Sequence, residues 1–263
     1  VAGAALLKRA VLTSERIAAM ERATLDAVPP TQRVELDGWL IAIDDGVVSR
    51  ARSATPLSHV PALARGLDAV MARYAAAGQP ACFRLPDTPG LAEVQTLLHS
   101  RGLVDASPTR VQVAESAQVA TLSPARALAD GATLHIAAEP DDAWCAVFLG
   151  DGVAADEAAS RTAILRRARH ARYASVTVDG QTVATGMGSF SEGWASVHGM
   201  RTWPAHRGRG FASVIVRALA LEALQRGLPQ MFLQVEQANT GAQALYRRLG
   251  FADLWVYRYW SER

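Results

Sequence analysis

The stretch Met200–Ala212, reading Met-Arg-Thr-Trp-Pro-Ala-His-Arg-Gly-Arg-Gly-Phe-Ala, restricts what this chain can fold into more than any other. An extended segment leads into Pro204, while Phe211, Val214, Ile215, Ala218 and Leu219 recur at helical spacing and predict a helix opening at about Gly210. A short basic turn with two glycines separates the two, so a strand is aimed at the open end of a helix. That end carries backbone N–H groups without intrahelical partners and the positive end of the helix dipole, which suits an anion. Gly208 and Gly210 let the backbone approach a ligand closely, and Arg207 and Arg209 add positive charge. Taken alone, the stretch fits a pyrophosphate cradle and an ordinary exposed turn equally well. It matches neither a P-loop, since no Gly-Lys-Ser/Thr follows, nor a dinucleotide fingerprint, since Ser213 stands where the third glycine would fall.

Around this stretch the chain alternates short strands and helices. A helix is expected over Thr13 to Ala27 with Ser14 as cap, then strands Trp39 to Ile43 and Val47 to Thr55 around an Asp44-Asp45-Gly46 turn. Helices over Pro61 to Ala77 and Leu91 to Arg101 flank a strand at Ala81 to Leu85, and Thr109 to Ala114 closes the first half. The Ala, Ser and Leu of Glu115 to Gly131 show no strong period and suggest a linker. Beyond it come a strand at Thr133 to Ala138, helices over Pro140 to Leu149 and Ala155 to His170, and a hairpin across Asp179-Gly180. Strands Trp194 to Thr202 and Gln230 to Glu236, a helix at Thr240 to Leu249 and a last strand at Leu254 to Tyr259 follow.

The two halves repeat. Gly78-Gln79-Pro80-Ala81-Cys82-Phe83 aligns with Gly227-Leu228-Pro229-Gln230-Met231-Phe232, Leu97–Leu103 with Leu245–Phe251, and Pro56 with Pro204, all in one register. Opposite Arg207-Gly208-Arg209-Gly210 the first copy has His59-Val60-Pro61-Ala62, and opposite Tyr246 it has Leu98. It lacks both glycines and puts a proline where an N–H donor would be needed.

Composition narrows the function classes. Of 263 residues, half are hydrophobic and a fifth charged, with a net charge of +2, a globular profile that argues neither for nucleic acid nor for an acidic membrane. No apolar run approaches the roughly 18 residues of a membrane span, and the apolar run before Lys8 and Arg9 has the wrong order for a signal peptide; a cytoplasmic protein is expected. Cys82 and Cys145 lie far apart with no His or Cys at ligand spacing, so no metal is expected.

The second half resembles the GCN5-related N-acetyltransferase (GNAT) family. The resemblance rests on Met200-Arg201-Thr202 before Pro204, on Arg207-x-x-Gly210-x-Ala212, and on Asn239-x-x-Ala242-x-x-Leu245-Tyr246-x-x-x-Gly250-Phe251. It implies an α/β (α+β) fold of two tandem GNAT-like domains, each a mixed, mostly antiparallel sheet with flanking helices and a splayed central parallel strand pair. Residues 1–115 would be a degenerate copy, 116–131 a linker and 132–263 the catalytic domain. The resemblance further implies acetyl-CoA as cosubstrate, its pyrophosphate on Arg207, Gly208, Arg209, Gly210, Phe211 and Ala212, its pantetheine arm along Met200, Arg201 and Thr202, and Asn239 bonding the arm or capping its helix. The reaction implied is direct attack of a neutral primary amine on the thioester, with a backbone N–H near Met200 receiving the oxyanion.

Tyr246 stands at the family's general-acid position. Strand alternation puts Ser196, His198 and Met200 on one face, which makes His198 one possible base; Glu236, at the end of the other strand that the resemblance implies is splayed, is the competing candidate. The acceptor is a small-molecule amine or a peptide or protein amine, the protein a monomer or homodimer. The competing reading is a non-catalytic acyl-CoA-binding sensor. Asp141-Asp142 suits a helix cap, Arg166-Arg167-Ala168-Arg169-His170 a solvated helix face or an acidic ligand, and Trp255, Tyr257, Tyr259 and Trp260 a core or an acceptor groove.

Overall fold

In the computed structural model, which describes residues 13–122, 128 and 131–262, the chain opens on helix α1 (Ser14–Ala27). Its cap is Thr13, whose hydroxyl accepts from the Arg16 N–H at 3.3 Å, in place of the expected Ser14. Strands β1 (Gln32–Leu36) and β2 (Trp39–Ile43) form the first hairpin across Asp37-Gly38, not across Asp44-Asp45-Gly46. Asp37 and Gly38 both take positive φ, 48° and 82°, the geometry of a tight two-residue hairpin. Asp44 turns inward instead, its carboxylate accepting from the Thr31 N–H and hydroxyl, the Gly46 N–H and Arg167. The expected strand Val47–Thr55 therefore leaves the sheet as a 3-10 turn, Ser49–Arg52, and only β3 (Thr55–Pro56) pairs with β2.

The first half continues through a 3-10 turn at Pro61–Gly66, α2 (Leu67–Ala76), β4 (Phe83–Pro86), α3 (Ala92–Ser100) and β5 (Val104–Glu115). Next come α4 (Ser116–Leu122), β6 (Ala132–Ala137), α5 (Asp142–Leu149), α6 (Ala155–Arg167), β7 (Ala171–Val178), β8 (Gln181–Ser191) and β9 (Trp194–Thr202). The chain ends with α7 (Phe211–Gln225), β10 (Gln230–Glu236), α8 (Thr240–Arg248) and β11 (Ala252–Ser261). The start of the expected linker is thus a helix. Val119 and Ala120 of α4 join the core of α7, and the Arg217 guanidinium donates to the Ala120 carbonyl at 3.0 Å. Residues 123–127 and 129–130 of that linker, like the apolar run before Lys8, lie outside the described residues.

The strands form a small sheet, β1-β2-β3, and a large one ordered β4-β11-β5-β10-β9-β8-β7-β6. In the large sheet all neighbours are antiparallel except β9 and β10. The two halves exchange their last strands: β5 of the first half lies beside β10, and β11 of the second lies beside β4. The repeat is visible in the hydrogen bonds that end corresponding helices. The Leu103 N–H donates to the Leu98 carbonyl and the Phe251 N–H to Tyr246; the Gln79 N–H donates to Tyr74 and the Leu228 N–H to Ala223. The first copy retains one parallel bridge, Ala54 to Phe83, where the second has β9 and β10.

The exchanged strands are tied down from beneath. Arg84 on β4 and Glu21 on α1, both almost fully buried, form an ion pair, and the Arg84 guanidinium lies 5.1 Å from the Tyr257 ring centroid. Arg167, from the cluster expected to be solvated, spans the halves instead, donating to the Pro29 carbonyl at 3.0 Å and to Asp44 at 2.8 Å. Cys82 and Cys145 are free thiols. Among the described residues no helix is long and apolar enough to cross a membrane, and no cluster of His, Cys, Asp or Glu could hold a metal ion.

Candidate active site

The site is built by a parallel pair that comes apart. β9 and β10 pair only at Ala195–Met231, Ser196–Phe232 and Val197–Leu233, after which β9 runs on to Thr202 and β10 to Glu236 without meeting. β10 stays in register with β5 up to Glu236, so β9 is the strand that departs. The departure coincides with a bulge: Thr185 faces Arg201 and Met187 faces His198, leaving Gly199 and Met200 opposite the single residue Gly186. Gly199 takes φ +59°, a conformation that a side chain at this position would resist. The bulge also corrects the expected alternation. Ser196 and His198 share one face, but Met200 is turned to the other, its sulfur against Gly186 in the core that contains Ile215.

The resulting gap joins the two faces of the sheet in a cavity of about 580 Å³. On the α7–α8 face stands Tyr246, which shares a core with Val197, Leu233 and Val235. Burial pushes its hydroxyl up to about 12, so it remains protonated at neutral pH. The α1 face holds the residues that alternate with that core. The Gln234 side-chain amide donates through Nε2 to the Thr24 hydroxyl at 3.1 Å, and Tyr257 donates to its side-chain carbonyl oxygen, Oε1, at 3.2 Å. Arg50, from the 3-10 turn of the first half, reaches the same carbonyl oxygen and the His198 Nδ1, each at 3.3 Å. A guanidinium can only donate, so His198 Nδ1 accepts and Nε2 carries the hydrogen; that Nε2 is buried and unpartnered. Burial, and then the Arg50 charge, hold His198 well below the usual imidazole range.

Of the residues read from the sequence, Tyr246, His198, Glu236, Met200, Arg201 and Asn239 all line this one cavity. Glu236 is exposed at the end of β10. Asn239 caps α8, its side chain accepting from the Ala242 N–H at 3.1 Å, and keeps its amide hydrogens for another acceptor. The Arg201 side chain is engaged elsewhere, on the Phe148 and Leu149 carbonyls at the end of α5.

Thr202 and the run Arg207–Ala212 stand outside the cavity wall, at the far end of β9. There α7 begins under Gly210, which has no side chain to satisfy the first-turn N–H groups. Gly208 and Gly210 take φ +76° and +84°, and the protein places nothing within 4 Å of where either Cβ would be. Arg207 and Arg209 are exposed; their guanidinium groups touch the Thr202 carbonyl and His206, and neither pairs with a carboxylate among the described residues. Open glycine backbone, an uncapped helix and two unpaired arginines fit a pyrophosphate. In the first copy the corresponding place is filled: His59 packs edge-on against Trp255, their centroids 4.9 Å apart, and its carbonyl occupies the space beside Gly90.

The sequence reading named Tyr257 as a residue of a core or an acceptor groove but missed Arg50, Ser49 and Thr109, which meet it here. The four come from three separate elements and meet only because the strands exchange. The aromatic strand β11 divides its roles: Tyr257 and Tyr259 line the cavity, Trp255 packs on His59, and Trp260 joins the core of the first half.

Comparison with known proteins agrees with this geometry. The family described as "Probable histone acetyltransferase Rv0428c C-terminal" matches residues 13–260. The uncharacterized N-acetyltransferase YobR of Bacillus subtilis is 24% identical over 247 residues, covering 93% of this chain and 98% of YobR. Among solved structures, a GCN5-related N-acetyltransferase from Kribbella flavida superposes with a TM-score of 0.69 at 20% identity, over 93% of this chain and 95% of that one. A tandem GNAT protein from the clavulanic acid biosynthesis pathway superposes with a TM-score of 0.63 at 13% identity, over 93% and 94%.

Proposed function

This chain belongs to the GCN5-related N-acetyltransferase family and is an acetyltransferase of that type, and we propose that it moves the acetyl group of acetyl-CoA to a primary amine through the gap between β9 and β10. The observation that carries this reading is the junction of two unlike faces in one cavity, with Tyr246 on one and His198, Gln234 and Glu236 on the other. Acetyl-CoA supplies the activated acyl thioester; every other role falls to the chain. Gly208 to Ala212 and the two arginines would hold the pyrophosphate at the α7 N-terminus. Beyond Val197 the edge of β9 has no strand partner, so its backbone amides are available to a pantetheine arm, with Asn239 adding a side-chain donor. A backbone N–H near the Gly199–Met200 bulge would receive the charge that develops on the carbonyl oxygen.

The acceptor would enter from the α1 face, walled by the first half. Glu236 removes the proton from its ammonium group, directly or through water, because the His198 lone pair is already engaged by Arg50. Tyr246, kept proton-loaded by burial, returns a proton to the departing thiolate. The first half, residues 13–115, acts in this proposal as a degenerate copy that contributes a wall and a strand. The test is CoA release from acetyl-CoA across a panel of amines, amino acids and peptides. Release with none of them, alongside tight acetyl-CoA binding, makes the protein a sensor and overturns the proposal.

A further inference from the structure

We propose that the acceptor carries a carboxylate beside its reacting amine, and that Arg50 receives that carboxylate. This rests on the acetyltransferase reading and names its substrate class. Arg50 is a half-buried cation held entirely by neutral groups, the His198 Nδ1 and the Gln234 carbonyl oxygen, and both bonds use the same terminal nitrogen. Its partners are themselves fixed, Gln234 by Tyr257 and Thr24. The guanidinium has further N–H donors, and none bonds to another described residue. No carboxylate among the described residues pairs with it.

The other arginines on the cavity wall are engaged: Arg161 pairs with Glu157, and Arg201 donates to the end of α5. A half-buried cation on a cavity wall with no counter-charge of its own is placed to receive one, and the planar fork of arginine suits a carboxylate. Glu236 lies two residues beyond Gln234 on the same face of β10, roughly 7 Å along the strand. One small molecule can therefore meet Glu236 with its ammonium group and Arg50 with its carboxylate. Ser49, which also lines the cavity, offers a hydroxyl to the same end, whereas the Thr109 hydroxyl is donated to the Ser107 carbonyl at 3.1 Å.

The experiment measures CoA release with the L-amino acids, their α-amides, dipeptides with free and amidated C-termini, and lysine peptides lacking any carboxylate. Wild-type protein is expected to prefer acids over matched amides by about 10- to 100-fold in kcat/KM, the range of one charge-assisted contact. Arg50→Gln should erase that ratio while leaving the KM for acetyl-CoA in place, and Arg50→Lys, which keeps the charge but not the fork, should retain part of it. Equal use of acids and amides, turnover confined to carboxylate-free amines, an acid preference that survives Arg50→Gln, or Arg50→Lys behaving as Arg50→Gln would each overturn the assignment. Turnover of a carboxylate-free amine leaves the acetyltransferase reading standing. Absence of both turnover and an acetyl-CoA-induced rise in Tm removes both readings.

Discussion

Substitution of Gly210 separates backbone strain from charge at the anion seat. Gly210 sits at φ +84° as the cap of α7, with open space where a side chain would go, so any L-residue there incurs the left-handed cost of roughly 1–2 kcal/mol and no steric clash. For a chain of this size that lowers Tm by about 2–8 °C. Gly210→Ala shows this cost alone. Gly210→Glu shows it with a carboxylate at the positive end of the helix, which returns roughly 0.3–1 kcal/mol, so without ligand the Glu variant should be as stable as the Ala variant or slightly more so.

Ligand should reverse the order. Acetyl-CoA at a hundred times its Kd stabilises wild type by about 2.7 kcal/mol, roughly 5–10 °C. The Ala variant should keep most of that shift, and the Glu variant, with its own anion in the cradle, should lose it. Differential scanning fluorimetry with and without acetyl-CoA reads all three. If Gly210→Glu shifts as far as Gly210→Ala, the pyrophosphate does not bind at the start of α7.

Tyr246→Phe should lower kcat by about 100-fold with the KM for acetyl-CoA nearly unchanged; a normal kcat removes the acid role. Because burial raises that hydroxyl to about 12, stopped-flow kcat should show no loss from its ionisation as pH rises to 10. Glu21→Gln leaves a buried guanidinium without its counter-ion and should cost roughly 3–5 kcal/mol in urea unfolding. Burial lowers His59 to about 4, so the neutral ring stabilises the fold above the ordinary imidazole range and that contribution fades as pH falls from 6.5 through 4. His59→Phe should flatten stability across that window, and an unchanged slope would assign the loss to other groups. Residues 132–263 expressed alone lack β5, the strand between β10 and β11, and should show no cooperative unfolding by circular dichroism.

The sequence determined what depends on neighbours along the chain. Helical spacing and a Gly-rich turn fixed the start of α7, Asp179-Gly180 fixed a hairpin, and matched segments fixed the repeat, because capping, turn geometry and periodicity act within a few residues. His198 was legible as a candidate from strand alternation, Glu236 from its place at the end of a strand, and Tyr246 and Asn239 from the family motif they complete. What tertiary structure decided depends on pairs remote in sequence. The first hairpin moved to Asp37-Gly38 because Asp44 found Thr31 and Arg167, 123 residues away in the second case. One extra residue at Gly199–Met200 turned Met200 away from His198, a change that strand alternation cannot anticipate. Above all, the exchange of β5 and β11 set Arg50, Gln234 and Tyr257 around one cavity: backbone pairing between strands over 100 residues apart decides which side chains meet, and no local pattern records that choice.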